Sequence, residues 1–290
     1  MEPSNLDVEA VRSAVLRPVG PWASVDVLPV AASTNAELVE RARAADEAGT
    51  PLDAPAALAA EHQTAGVGRA GRSWETPPHA ALTVSMLLRP DVPDVALGWL
   101  PLLSGLAMVR VLRDAGVPAA LKWPNDVLLP AGESLDGFGP WRKVAGILAQ
   151  VVPGGGVVVG IGLNVAQATD ELPVPTATSL ALSGAPAPAL DRTALLAALL
   201  RELAAVVERW SADDGDADVP GPGGAPSLVD EYAAVSATLG TLVRADLAGG
   251  GGTVEGTAER LSDDGALVVV RADGSVRIVA AGDVHHVREA

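Results

Sequence analysis

Short apolar runs alternate with longer stretches of helical spacing over the first two-thirds of the chain, and this alternation predicts the order of its elements. From Val25 to Val30 apolar and polar residues alternate as on a half-buried strand. Ser33-Thr34-Asn35 follows, three side chains suited to a helix N-cap, and then AELVERARAADEA with helical spacing. Ala56–Glu61 reads as a buried strand leading into a glycine loop at Gly66–Gly71, and Leu82–Leu88 as another strand. Trp99–Ala115 has the apolar spacing of a helix and ends at Gly116. Ala119–Trp123, Val127–Leu129, Val144–Val152 and Val157–Asn164 are apolar and bounded by Pro, Gly or Asn, as expected of strands in a central sheet. Between the second and third of these lies PAGESLDGFGPWR (130–142), polar and glycine-rich, which predicts a surface loop. Thr193–Trp210 predicts an amphipathic helix, the acidic ADDGDADVPGPGGAP (212–226) a mobile connection, and Ser227–Ala237 a further helix.

From about Ser236 the pattern changes to short strands (TLVRADL, TVEGTAERL, ALVVVRA, SVRIVA, DVHHV) joined by Asp-Asp-Gly and Asp-Gly turns, the signature of a small SH3-like β-barrel. The chain is therefore expected to divide into an N-terminal extension over 1–22, a main domain over 23–235 and a barrel over 236–290. The extension has room for one helix at most, too little for a winged-helix DNA-binding domain.

Composition narrows the function classes. Of 290 residues, 49% are hydrophobic and 19% charged, enough apolar material for a core and no sign of global disorder. A formal charge of −16, from 20 basic and 36 acidic groups, opposes sequence-independent binding to nucleic acid or anionic membrane. There is no cysteine, and His62, His79, His285 and His286 form no spaced metal-ligand set. The acidic, polar start and the absence of 18–20 continuous apolar residues lead to the expectation of a cytoplasmic protein. Only two of the 20 basic residues are lysines, Lys122 and Lys143, and asparagine occurs only at Asn5, Asn35, Asn125 and Asn164. In a chain that otherwise takes arginine, these survivors mark places that need a compact ammonium or a carboxamide.

The stretch Glu61–Trp74 contains G-x-G-x-x-G as Gly66-Val67-Gly68-Arg69-Ala70-Gly71. A dinucleotide fingerprint would open a helix, whereas this one runs into Glu75-Thr76-Pro77-Pro78 and cannot. What remains is a loop with unhindered amides and two guanidiniums, Arg69 and Arg72, beside Trp74, suited to wrap a phosphate; a plain solvated connection is the alternative. Lys122-Trp123-Pro124-Asn125-Asp126 falls at a strand end, where open α/β sheets bind ligands. Its cation suits a phosphate and its Asn/Asp pair a hydrated Mg²⁺, although Pro-Asn-Asp is also ordinary turn chemistry. Lys143 heads an apolar strand. Gly160-Ile161-Gly162-Leu163-Asn164 combines close backbone approach with a carboxamide, and a bulge or turn would use the glycines equally well.

In this order Ser33-Thr34-Asn35, Glu61–Trp74, Lys122–Asp126, Lys143–Leu148 (KVAGIL) and Gly160–Asn164 resemble biotin protein ligases of the short type without a DNA-binding domain, from about Val25 to the C-terminus. The resemblance implies an α+β fold: a class II synthetase-like biotin/lipoate ligase catalytic domain, with a mixed sheet flanked by helices, plus the SH3-like barrel. It implies ATP-dependent formation of biotinyl-5′-AMP, with Mg²⁺ as cofactor. Transfer would then be to a lysine of a biotin carboxyl carrier domain of an acyl-CoA or pyruvate carboxylase, by a monomer or weak homodimer. Ser33, Thr34, Asn35 and Gln63 would hold the biotin ureido head. The loop Gly66–Arg72, with Val67 and Gly68 against biotin and Gly66 and Arg72 towards the nucleotide, would order over both ligands. Arg69 would hold the adenylate, Trp74 pack beside it, and Lys143 contact the biotin carboxylate and the α-phosphate. Lys122 would lie near the phosphates, making Lys143, Arg69 and Lys122 the catalytic set, with Asn164 towards the adenine. Asp126 and Asn125 would serve Mg²⁺ or orient a lysine. One departure stands out: the family loop usually reads G-R-G-R-x-G, and Val67 replaces its first arginine, which implies weaker ligand binding or earlier release of adenylate. A lipoate ligase and a non-catalytic biotin- or adenylate-binding regulator are the competing readings.

Overall fold

A computed structural model describes residues 5–247, 251–280 and 282–286. Seven strands form a mixed sheet: β1 (Ser24–Leu28), β2 (Ala56–Ala60), β3 (Ala81–Leu88), β4 (Ala120–Lys122), β5 (Asp126–Leu135), β6 (Gly139–Val151) and β7 (Val157–Asn164). They lie in the order β1-β2-β3-β7-β6-β5-β4, with β1 and β2 parallel and every other pair antiparallel.

The two faces of this sheet differ because side chains alternate along each strand. Ala57, Ala59, Val84, Met86, Ala145, Ile147, Val159 and Ile161 point to one face, where α3 (Leu100–Asp114) and α4 (Arg192–Ala212) pack over them. Fully buried leucines there, such as Leu103 and Leu199, each stabilise the fold by about 1.5–3 kcal/mol. On the other face α2 (Thr34–Glu47) lays Leu38 and Ala42 over Ala56, Leu58, Leu87 and Val158. That helix covers only part of its face. Further along, the same face carries buried Thr83 and Ser85 and half-buried Gly146, Gly160 and Gly162, small or polar residues in place of apolar ones.

The N-terminal residues are built into the main domain. Asp7 caps α1 (Val8–Val15) by accepting the Ala10 N–H at 3.0 Å, and Leu6, Val11, Val15 and Trp22 are buried in the core beside α4. The stretch Asp94–Asp114 is long and apolar enough by composition to cross a membrane, but most of it is buried inside the protein as a short 3₁₀ turn and α3. The segment 212–226, expected as a loose connection, is instead tied down. Trp210 Nε1 donates to Gly215 O at 2.7 Å, and Ala217 O accepts the N–H of Val229 in α5 (Leu228–Ala234) at 3.0 Å.

The C-terminal sheet contains β8 (Leu242–Leu247), β9 (Thr253–Leu261), β10 (Leu267–Val270), β11 (Val276–Val279) and β12 (Gly282–His286), antiparallel in the order β11-β10-β9-β8-β12, as the SH3-like expectation requires. Val287, the end of the predicted DVHHV strand, lies outside the described residues. Trp99 Nε1 donates to Asp263 O at 2.8 Å and Trp123 Nε1 to Gly265 O at 3.0 Å, while Val243, Ala245, Leu267 and Val269 join the main core. The two sheets therefore remain separate but share one hydrophobic core.

Residues 130–142, expected as a surface loop, are largely paired strand. They continue β5 and β6 as a hairpin, with Pro130 opposite Trp141 and Leu135 opposite Gly139. Gly137 and Gly139 have φ of 75° and 59°, a left-handed turn conformation that glycine adopts without strain. Gly137 O accepts the His286 N–H at 3.2 Å, so the hairpin tip reaches β12.

Burial, with Lys122 and His285 nearby, pushes the His286 imidazole down to about 4. The folded protein thus resists a proton that the unfolded chain accepts near 6.5, so stability contributed by neutral His286 is complete above pH 6.5 and is lost as pH falls towards 4. The wild-type melting temperature should drop more between pH 7.5 and pH 5 than that of His286→Gln; equal drops would show that His286 is not the titrating group.

Candidate active site

A β-bulge aims Lys143. Val127 pairs with Ala145 and Leu128 with Lys143, leaving Val144 as an extra residue. In a regular strand Lys143 and Gly146 would face opposite ways; the inserted residue restores them to one side and lets both Val144 and Ala145 bury in the core. The Lys143 backbone turns to residues 176–178, donating to Thr176 O at 2.7 Å and accepting the Thr178 N–H at 2.8 Å. Its Nζ lies 2.6 Å from Asp126 Oδ1 and 5.5 Å from the centre of a Trp74 ring. Asp126 thus pairs with Lys143 at the head of the strand. Among the described residues no three His, Cys, Asp or Glu side chains gather as a metal site.

The residues after β1 and β2 form a polar network above the uncovered sheet face. Gln63 Oε1 accepts the Thr34 backbone N–H at 2.8 Å and lies 3.1 Å from Thr34 Oγ1. Asn35 Nδ2 donates to Leu148 O at 3.0 Å and Gln150 Oε1 at 2.9 Å, and Asn35 Oδ1 accepts from Ser85 Oγ at 2.6 Å. Ser85 and Gln150 escaped the sequence analysis. Ser85 had a signal, since Thr83 and Ser85 alternate with apolar residues in ALTVSMLL and therefore share a face. Ser33, expected on biotin, caps α2 through an Oγ 3.5 Å from Ala36 N and lines neither of the cavities described below.

Three glycines let neighbouring side chains lie directly on the sheet. A Cβ on Gly160 would lie 2.1 Å from Asn35 Oδ1, and one on Gly162 2.4 Å from Trp74 Nε1; on Gly146 it would meet Trp74 Cζ3 at 3.1 Å. Close approach, rather than a turn, is what these glycines supply. Trp74 Nε1 is buried with no hydrogen-bond partner in the described structure.

The glycine-arginine loop closes on itself and on β12. Gly66 O accepts the Trp74 N–H at 2.8 Å, which places Gly66 at the base of the loop. Ala70 and Gly71 take φ of 55° and 72°. Arg69 donates to Asn125 Oδ1 at 3.1 Å and Gly282 O at 3.3 Å, and Arg72 to both Asp283 oxygens at 2.6 Å. Lys122 donates to Val284 O and sits 4.9 Å from the centre of the Phe138 ring. Three successive residues of β12 thus hold three cations, a role for which sequence gave no sign. Burial lowers both Arg69 and Lys122 from their ordinary values, opposed by the charges of Asp126 and Asp283. Asp283, although partly desolvated, is held below the usual carboxylate range by Arg72.

Two cavities meet here. The inner one is lined by Thr34, Asn35, Gln63, Val67, Gly146 and Gly160 among others. The outer one, of about 600 Å³, is lined by Lys122, Arg72, Asp126, Phe138, Asn164 and Asp283 among others. Gly68, Arg69, Trp74, Asn125 and Lys143 line both, so Arg69 and Lys143 stand at the junction. Asn164 reaches the outer cavity with its amide already bonded to Thr178 O and Gln167, each at 2.9 Å.

A glycine-floored pocket opens past two cations into a second, larger cavity, which gives room for two ligands with their anionic groups at the junction. Comparison with known proteins agrees. Residues 33–165 match the biotin/lipoate A/B protein ligase family and residues 238–287 the biotin protein ligase C-terminal domain. The chain is 40% identical over 288 residues to a biotin–[acetyl-CoA-carboxylase] ligase of Mycobacterium tuberculosis, covering 98% of this chain and 96% of that protein. It is 34% identical over 263 residues to the enzyme of that name from Paracoccus denitrificans, covering 87% and 96%. A solved structure of biotin protein ligase from Aquifex aeolicus in complex with biotin and ATP superposes with a TM-score of 0.69 at 25% identity, covering 92% of this chain and all of that one. The chain belongs to the biotin protein ligase family.

Proposed function

We propose that the protein activates biotin with ATP and transfers it to a lysine of a biotin carboxyl carrier domain, with the two substrates in the inner and outer cavities. The observation that carries this reading is the sharing of Arg69 and Lys143 by both cavities. Biotin would lie on the glycine floor with its ureido head towards Thr34, Asn35 and Gln63 and its carboxylate at Lys143. ATP would occupy the outer cavity with its phosphates towards Lys122, Arg69 and Lys143 and its base towards Asn164. A carboxylate oxygen attacks the α-phosphorus, an O–P bond forms, and the bond to the β-phosphate bridge breaks to release pyrophosphate.

Two anions must meet in this step, so the protein acts by positioning and neutralising charge. Asp126 fixes Lys143 without cancelling the excess of positive charge, because Lys122 and Arg69 stand nearby. The amine of the acceptor lysine then attacks the acyl carbon of the mixed anhydride and AMP leaves. The loop Gly66–Arg72, tied to β12 through Arg69 and Arg72, would shield that anhydride from water until then. Val67 gives the inner cavity an apolar wall in place of a further cation.

For Mg²⁺, Asp126 in the outer cavity fits an ion delivered on the triphosphate, which needs one or two protein carboxylates besides phosphate oxygens. The ion would supply charge neutralisation at the phosphates.

Incubating the protein with biotin, ATP, Mg²⁺ and a carrier domain should raise the intact mass of the carrier by one biotinyl group. No mass gain with biotin, or an equal gain with lipoate in its place, would overturn the assignment.

A further inference from the structure

The hairpin over 130–142 is not used by the chemistry above, yet its tip stands in the outer cavity. Phe138, the one phenylalanine of the chain, lines that cavity with its ring centre 4.9 Å from Lys122 Nζ. The next residue back, Gly137, bonds through its carbonyl to the His286 N–H at 3.2 Å, and a Cβ there would come within 3.1 Å of His285 Nδ1. The hairpin is therefore seated against β12 closely enough to fix where the ring lies.

Lys122 needs such a neighbour. It is 7% exposed, donates to Val284 O, and feels the charges of Asp126 and Asp283, but among the described residues no carboxylate stands within ion-pair distance of it. A carbonyl and an aromatic face each stabilise an ammonium without cancelling its charge. A carboxylate in the position of the ring would hold the ammonium as well but would repel an incoming phosphate.

We propose that Phe138 is a positioning residue for ATP: the hairpin sets its ring against Lys122 so that this buried ammonium stays fixed and un-neutralised, facing the triphosphate. The inference rests on the ligase reading and adds to it an element that governs nucleotide affinity alone, since Phe138 lines the outer cavity and not the inner one.

Biotin-dependent exchange of pyrophosphate into ATP, measured on the full chain, separates the two substrates. Phe138→Ala should raise the KM for ATP about 3–10-fold, the size of one partly desolvated cation–π contact, with the KM for biotin and kcat within about twofold. Phe138→Tyr should keep the wild-type KM for ATP, whereas Phe138→Leu, apolar but without a π face, should resemble the alanine variant. Should Phe138→Ala fail to fold, the contrast between Tyr and Leu carries the test. The proposal is overturned if Leu serves as well as Tyr, if the KM for ATP stays unchanged, or if the KM values for ATP and biotin rise together. Wild-type protein without biotin-dependent exchange would overturn the ligase reading along with it; wild-type exchange with a flat Phe138 series would overturn only the role of the hairpin.

Discussion

Lys143→Arg is expected to lose adenylate synthesis by about a hundredfold or more in kcat/KM, about 2.7 kcal/mol of transition-state stabilisation, although the charge is kept. The ammonium is confined by Asp126 Oδ1 at 2.6 Å, the Trp74 ring at 5.5 Å and the backbone of Gly146, whose Cβ position is 3.1 Å from Nζ. A planar guanidinium is longer and wider, and guanidiniums pair with carboxylates as a fork, which at Asp126 would turn the charge away from the junction of the cavities. Biotin-dependent pyrophosphate exchange measures the effect, with the melting temperature as a control for folding. Activity within a few-fold of wild type would remove Lys143 from the reacting centre.

Gly160→Ala is expected to raise the KM for biotin about a hundredfold while changing the KM for ATP little. The added methyl would fall 2.1 Å from Asn35 Oδ1. Asn35 cannot easily yield, because Leu148 O, Gln150 and Ser85 hold it from three sides and their bonds would have to be broken. Overpacking here costs stability as well, about 1–3 kcal/mol, so affinity is best read by direct titration with biotin below the melting range. An unchanged affinity for biotin would mean that Asn35 and the glycine floor do not form its pocket.

Much of this was legible in the chain because the site residues sit in runs whose chemistry departs from their apolar surroundings. Lys122 and Lys143 were marked by the scarcity of lysine, and both proved to line the outer cavity. Strands β3, β6 and β7 followed from apolar runs, since each is covered by helices on at least part of its surface. The hairpin at 130–142 was not legible: its polar, glycine-rich sequence resembles a loop, and its tip is fixed by a contact with His286, which is far away in sequence. The direction of Lys143 was hidden for a related reason. A bulge at Val144 arises from register with β5, which no single-strand pattern reveals. Asp283 and the carbonyls of Gly282 and Val284 act through a docked second sheet, so their parts depend on tertiary packing. Gly66 and Ser33 also serve as a loop base and a helix cap, roles that use the same residue types as a ligand site.

The proposed function stands on the convergence of Arg69, Lys122 and Lys143 where the carboxyl group of biotin would meet a nucleotide phosphate. A crystal structure with a hydrolysis-resistant biotinyl-adenylate analogue tests it most directly. The phosphate linkage is expected between Arg69 and Lys143, the bicyclic ring on Gly146 and Gly160, and the adenosine in the cavity beside Asn164 and Phe138. A linkage bound away from these cations, or the ring system lodged in the outer cavity, would contradict it.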